Sequence, residues 1–296
     1  RVSGARVAVL QFPGVNCEAE TARALARAGL EAEVFRWTRP PRELAAFDAF
    51  VLPGGFSWQD RVRAGALAAK DPLVAALAER ADAGAPVLGI CNGAQVLVEA
   101  GLVPGGGNAG GGRASGARAS GGHVDVALAR NRMPDRVGYY TRWVRCRVEE
   151  TACVFTRGLA PGTLLPMPVA HAEGRFTSSK KGRMAALVES GQTPFRYATP
   201  GGETADDFPG NPNGSDEAVA GLCNVRGNVL ALMPHPERAV DLGQLSRTIG
   251  GVWGGRRDRA LAAGDASAFG DGPGMALFHA LARHLDLDLD AGLQRV

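Results

Sequence analysis

The sequence predicts an α/β fold: a mostly parallel, doubly wound sheet with helices on both faces, plus a smaller antiparallel β section. Three observations carry this. Short apolar runs alternate with helix-length segments through the first ninety or so residues. The chain has 296 residues, 45% of them hydrophobic, enough to bury one large core. Pro53-Gly54-Gly55 and Cys91 both follow strand-like runs, and sites in such sheets lie at the C-terminal strand ends.

The first strand is Arg6 to Phe12. Asn16 caps a helix ending near Gly29, and Ala32 to Arg36 completes a βαβ unit. Ala49 to Leu52 is the third strand. Asp71 and Pro72 supply an N-cap and a first-turn proline for a helix ending near Gly84, and Pro86 to Ile90 is the strand beneath Cys91. Ala94 to Ala100 is helix-forming. From Pro104 to Gly122 the chain is too poor in apolar residues to pack and reads as a flexible Gly-rich insertion. Strand-like segments resume at Arg142 to Val148, Thr163 to Ala170, Arg183 to Glu189, Ala218 to Asn224 and Asn228 to Leu232. A second Gly-rich stretch, about Gly250 to Gly274, precedes an amphipathic helix over Met275 to Leu285. Residues 1–296 read as one domain.

Composition excludes several classes. A net charge of +3 with scattered arginines gives no electrostatic case for nucleic acid or an anionic membrane. Cys17, Cys91, Cys146, Cys153 and Cys223 are odd in number and form no C-x-x-C pair, so neither a disulfide scaffold nor a zinc site is indicated. No metal site is expected. With no signal-peptide pattern and no long apolar run, the expectation is a soluble, cytoplasmic protein. Gly105 to Gly110 matches G-x-G-x-x-G, but after a helix rather than a strand, and no P-loop for ATP is present.

The chemistry begins at Cys91. Gly89 and Gly93 flank it with the spacing of a nucleophile elbow, and a thiol at a helix N-terminus is favoured as thiolate. The alternative is a small buried core cysteine. A thiolate needs a base, and the base an orienting acceptor. Met233 to Arg238 supplies both: the prolines around His235 force it into extended geometry, which points Glu237 to the same side. His171, with Glu173 two residues on, ranks second as base; Arg175 beside it suggests carboxylate binding. Backbone donors for an oxyanion are available from Asn92 and from Gly54 or Gly55.

With these residues assembled, the chain resembles the class I, or triad, glutamine amidotransferases, of flavodoxin-like fold, and among them the glutaminase subunits of phosphoribosylformylglycinamidine synthase. The general part is Gly89-x-Cys91-x-Gly93-x-Gln95 with His235-Pro236-Glu237. The narrower part is Phe12 to Cys17, Leu52 to Ser57 with Arg63-Ala64-Gly65, His171 to Phe176, Asn211 to Ser215, and Met233 to Arg238. The resemblance implies that Cys91 attacks the side-chain amide of glutamine, that His235, oriented by Glu237, protonates departing ammonia, and that water hydrolyses a γ-glutamyl thioester. It implies glutamine contacts at Phe56, Gln95, His171, Arg175 and Phe176. No cofactor is implied in this chain; ATP and magnesium would belong to a partner synthetase subunit, with a small accessory subunit as a further partner. Pro104 to Gly122 and about Gly243 to Gly270 look like insertions relative to the compact family form. A glutaminase serving another synthase, an elbow-cysteine hydrolase or peptidase, and a catalytically silent binding module are the rival readings, the last disfavoured because nucleophile, base and orienting acid are all present.

Overall fold

The computed structural model describes residues 4–105, 125–264 and 270–293. In chain order the elements are β1 (Arg6–Gln11), α1 (Glu18–Arg27), β2 (Glu31–Arg36), β3 (Ala49–Leu52), α2 (Pro72–Asp82), β4 (Val87–Ile90), α3 (Asn92–Glu99), β5 (Ala127–Ala129), β6 (Tyr140–Val148), β7 (Leu164–His171), β8 (Arg175–Thr177), α4 (Arg183–Glu189), β9 (Phe195–Ala198), β10 (Val219–Cys223), β11 (Val229–Leu232), α5 (Gly251–Ala263) and α6 (Met275–Leu293). Nine strands share one sheet in the order β2-β1-β3-β4-β11-β10-β9-β6-β7, and β5 pairs with β8 separately. Strands β2, β1, β3, β4 and β11 run parallel; β10, β9, β6 and β7 continue the sheet antiparallel.

Both faces of the central strands are covered, so β3, β4 and β11 are apolar and buried at every position apart from Gly89 of β4, itself buried. Asp71 caps α2 as its sequence predicts, accepting from the Leu73 amide at 2.8 Å. No described helix is long and apolar enough to cross a membrane. The outer strand β7 is unusually well closed. Pro166 and Pro168 have no amide hydrogen, and the carbonyls of Leu164, Pro168 and Ala170 face Trp253 Nε1 (2.9 Å), the His235 amide (2.8 Å) and the Cys91 thiol (3.6 Å).

Several expectations need correction. Arg183 to Glu189 is a helix rather than a strand: Met184 and Leu187, three apart, are its buried residues, and Ala, Leu and Met favour the helix. The Gly-rich stretch after Gly250, for which no element was expected, holds α5. Helix α1 is capped at Cys17, not Asn16, with no side-chain cap bond. Strands β5, β8 and β9 are additional. Of the Pro104 to Gly122 segment, only Pro104 and Gly105 lie among the described residues.

Candidate active site

Strand β4 ends at Ile90 and Cys91 turns at φ 51°, ψ −105°, a conformation L-residues rarely hold. Its neighbours make the turn possible. A Cβ on Gly93 would lie 1.9 Å from the Leu52 carbonyl oxygen, and one on Gly89 2.6 Å from the Gly93 carbonyl oxygen, so both positions require glycine. The Cys91 amide donates to the Leu232 carbonyl at 2.8 Å, pinning the turn to β11. Helix α3 starts at the next residue, which puts the buried thiol at its positive end.

Past β11, His235 is extended at φ −103°, ψ 90°, as its prolines dictate. Glu237 reaches it from a 3-10 turn rather than along an extended strand, and its Oε1 lies 2.6 Å from His235 Nδ1. Both side chains are buried, with His235 Nε2 and Glu237 Oε2 unpartnered. Burial by itself would depress the imidazolium. The Glu237 carboxylate and the sulfurs of Cys91 and Cys17 outweigh it, holding His235 well above the ordinary histidine value, although neither sulfur reaches hydrogen-bond geometry at Nε2.

Cys17 is part of this cluster, which its place in the Phe12 to Cys17 motif did not reveal by spacing. It is 1% exposed, its thiol faces Asn16 Oδ1 at 3.3 Å, and Arg238 Nη2 approaches its sulfur at 3.1 Å. Burial pushes the Cys17 thiol up. Donor atoms of Cys17, His235 and Glu237 lie within 4.8 Å of one another, close enough for a shared ion. The Arg238 guanidinium at the sulfur opposes a cation there.

The Pro53-Gly54-Gly55 loop is clamped by the segment before α1. Amides of Asn16 and Cys17 donate to the Gly54 carbonyl (3.3 and 3.2 Å), Phe56 donates to Gly14 (2.9 Å) and Trp58 to Pro13 (2.7 Å). Gly55 sits at φ 147°, and a Cβ on Gly54 would come 2.8 Å from His235 Cε1. Among the described residues the amides of Gly54 and Gly55 have no acceptor. Asn92 joins this loop to the Cys91 turn: its Oδ1 accepts from the Ser57 amide at 3.0 Å, and its Nδ2 donates to Asp60 at 3.2 Å and Gln95 Oε1 at 3.0 Å. Trp58, Gln59 and Asp60 all have positive φ, so the side chain of Asn92 fastens a strained loop. Burial, then the Glu173 charge, raise Asp60 to about 6.

The expected glutamine contacts separate on inspection. Phe56 is exposed against Tyr139, with ring centroids 6.3 Å apart. Gln95 has both ends engaged, Nε2 donating to the Glu173 carbonyl at 2.6 Å and Oε1 accepting from Asn92, so it ties α3 to the loop after β7. Arg175 donates to the Arg130 carbonyl at 3.1 Å. Phe176 is 0% exposed within the core, a position with no face for a ligand. His171 is buried, its Nδ1 3.1 Å from Asn131 Oδ1. Burial, then His235, lower it to about 3, which disqualifies it as a base near neutral pH.

A CobB/CobQ-like glutamine amidotransferase domain profile matches residues 4–281. The phosphoribosylformylglycinamidine synthase subunit PurQ of Methanothrix thermoacetophila is 47% identical over 249 residues, which is 82% of this chain and 89% of the relative. That of Thermomicrobium roseum is 44% identical over 239 residues, 80% and 88% of the two chains. A chain of the PurLQS structure from Thermotoga maritima superposes with a TM-score of 0.65 at 28% identity, covering 95% of this chain and 99% of that one. This chain belongs to the glutamine amidotransferase family in which the PurQ subunits stand.

Proposed function

We propose that this chain is the glutaminase subunit of a phosphoribosylformylglycinamidine synthase. It hydrolyses glutamine to glutamate and ammonia and passes the ammonia to a synthetase subunit, which converts formylglycinamide ribonucleotide to formylglycinamidine ribonucleotide in purine biosynthesis. One observation carries the chemical part: a buried imidazole held at 2.6 Å by a buried carboxylate and flanked by a thiol on a turn that only glycines permit.

Cys91 gives its proton to His235 and attacks the carboxamide carbon. Amides of Gly55 or Gly54 and of Asn92 receive the oxyanion. The C–N bond breaks as the His235 imidazolium protonates nitrogen, and ammonia leaves a thioester. Water, deprotonated by His235, hydrolyses it and restores the thiol. Glu237 holds the ring and supports its charge. The partners are a synthetase and a small accessory subunit, as the name PurLQS gives for the Thermotoga assembly. ATP and magnesium belong to the synthetase, and the cytoplasm is the place of action. The chain acts as one domain, with the two Gly-rich stretches as insertions.

A diazoketone analogue of glutamine should label Cys91 alone, and Cys91→Ser should abolish ammonia release. An adduct on Cys17 or full activity in Cys91→Ser would overturn the assignment. Co-purification with the synthetase, followed by ammonia release with and without it, tests the wider reading.

A further inference from the structure

Five cysteines are buried, and four of them, Cys91, Cys146, Cys153 and Cys223, lie in the apolar core; Cys17 does not. Its surroundings are polar. The thiol donates to Asn16 Oδ1 at 3.3 Å, and the sulfur accepts from Arg238 Nη2 at 3.1 Å. The backbone on either side is committed as well: the amides of Asn16 and Cys17 grip the Gly54 carbonyl, and the Cys17 carbonyl accepts from Thr21 Oγ1 at 2.7 Å as α1 begins. Arg238 follows Glu237 directly, and its Nε donates to Glu20 of α1 at 3.2 Å. The sulfur is thus the inner end of a brace between the His235-Pro236-Glu237 turn and the Gly54-Gly55 loop.

Gly54 shows what the brace holds in place. A Cβ there would come 2.8 Å from His235 Cε1 and 3.1 Å from the Cys17 sulfur, so ring edge and sulfur converge over the same atom. The Glu237 bond at Nδ1 is a single point about which the ring can swing, and among the described residues Nε2 has no partner to stop it. The aim of the ring then depends on the walls it rests against, and a polarisable sulfur makes a close-fitting one.

We propose that Cys17 is a positioning residue for the proton transfers of His235: its sulfur, held by Arg238 and Asn16, keeps the imidazole aimed at Cys91 and keeps Gly54 aligned with that ring. This rests on the glutaminase reading and adds to it a second thiol that does no covalent chemistry. Burial holds Cys17 as the thiol, outweighing His235 and Arg238, which suits a wall rather than a nucleophile.

The test uses the synthetase-bound chain and reads kcat and KM for glutamine separately, each per site labelled by the diazoketone, so that unfolded protein does not count. Cys17→Ala removes the sulfur and should lower kcat about 10-fold while KM stays within about twofold, because a slightly displaced ring loses proton transfer before it loses substrate. Cys17→Ser keeps a donor and an acceptor and should recover part of the loss. Arg238→Gln should show the same kcat-only loss, and its half-exposed side chain keeps the test open should Cys17→Ala not fold. The double variant should be no worse than the lower single, since both changes cut one brace. An unchanged kcat in Cys17→Ala or Arg238→Gln, a loss carried by KM, or additive losses in the double variant would overturn the proposal. A wild-type complex that releases no ammonia from glutamine would overturn the glutaminase reading, and this role with it.

Discussion

At Gly93 the absence of one methyl group decides whether the elbow exists. The Leu52 carbonyl, 1.9 Å from the hypothetical Cβ, belongs to a central strand and has nowhere to go. Gly93→Ala must lift α3 off β3, at an expected cost above ~3 kcal/mol in urea unfolding. Gly255→Ala is the contrast. Inside α5, with only the flexible end of Arg259 at 3.4 Å, it should be neutral or stabilising by up to about 1 kcal/mol. Under the proposed mechanism, His235→Ala should nearly abolish turnover. Glu237→Gln removes the main charge that raises His235, so imidazolium is lost at lower pH, and the alkaline limb of kcat/KM should move down. Asp60 has the opposite sign of linkage to a salt-bridged acid. Its folded value, about 6, lies above the ordinary 3.8 of an aspartate, so the stability it contributes is present at low pH and lost as pH rises through about 6. The Tm advantage of Asp60→Asn over wild type should thus be absent near pH 4 and largest above pH 7; a constant difference would count against the linkage.

Helix and strand signals were legible where local chemistry and tertiary packing agree. Asp71-Pro72 names its own helix start, and Asp71→Ala should cost about 1 kcal/mol in unfolding free energy. Gly89, Cys91, Gly93, His235 and Glu237 were legible because the turn and the prolines impose their geometry through short-range sterics. What could not be read comes from chain segments far apart. Nothing near Asn131 in sequence announces that it will meet the ring of His171, 40 residues away. The same holds for Cys17, whose place beside His235 depends on a 221-residue separation closed through Arg238. In Arg183 to Glu189 the run Met-Ala-Ala-Leu-Val fits either period, and only packing of Met184 and Leu187 selects the helix. Gln95 shows a subtler gap: its motif position was visible, yet both its polar ends belong to the protein.

For the whole molecule, the clamp on Gly54 and the Asn92 tie to Ser57 and Asp60 join the proposed oxyanion donors to a strained loop. Phe56 and Val62 of this loop are exposed, and Phe56 lies against the exposed Tyr139 ring. The isolated chain should therefore be slow, with saturating synthetase and its substrates raising kcat more than lowering KM for glutamine. An unchanged kcat would separate the loop from partner binding. The outer strand β7 carries a further consequence, for solubility. A sheet edge ordinarily invites another molecule to add a strand, and from there to aggregate. Here Pro166 and Pro168 remove two donors and the Cys91 thiol and the His235 amide take two acceptors, so the backbone beside Cys91 and His235 offers little to recruitment. Trp253 completes the cover at Leu164. Trp253→Ala together with Pro166→Val should raise light scattering on mild heating well before the wild type, while Arg36→Glu on the opposite edge should not.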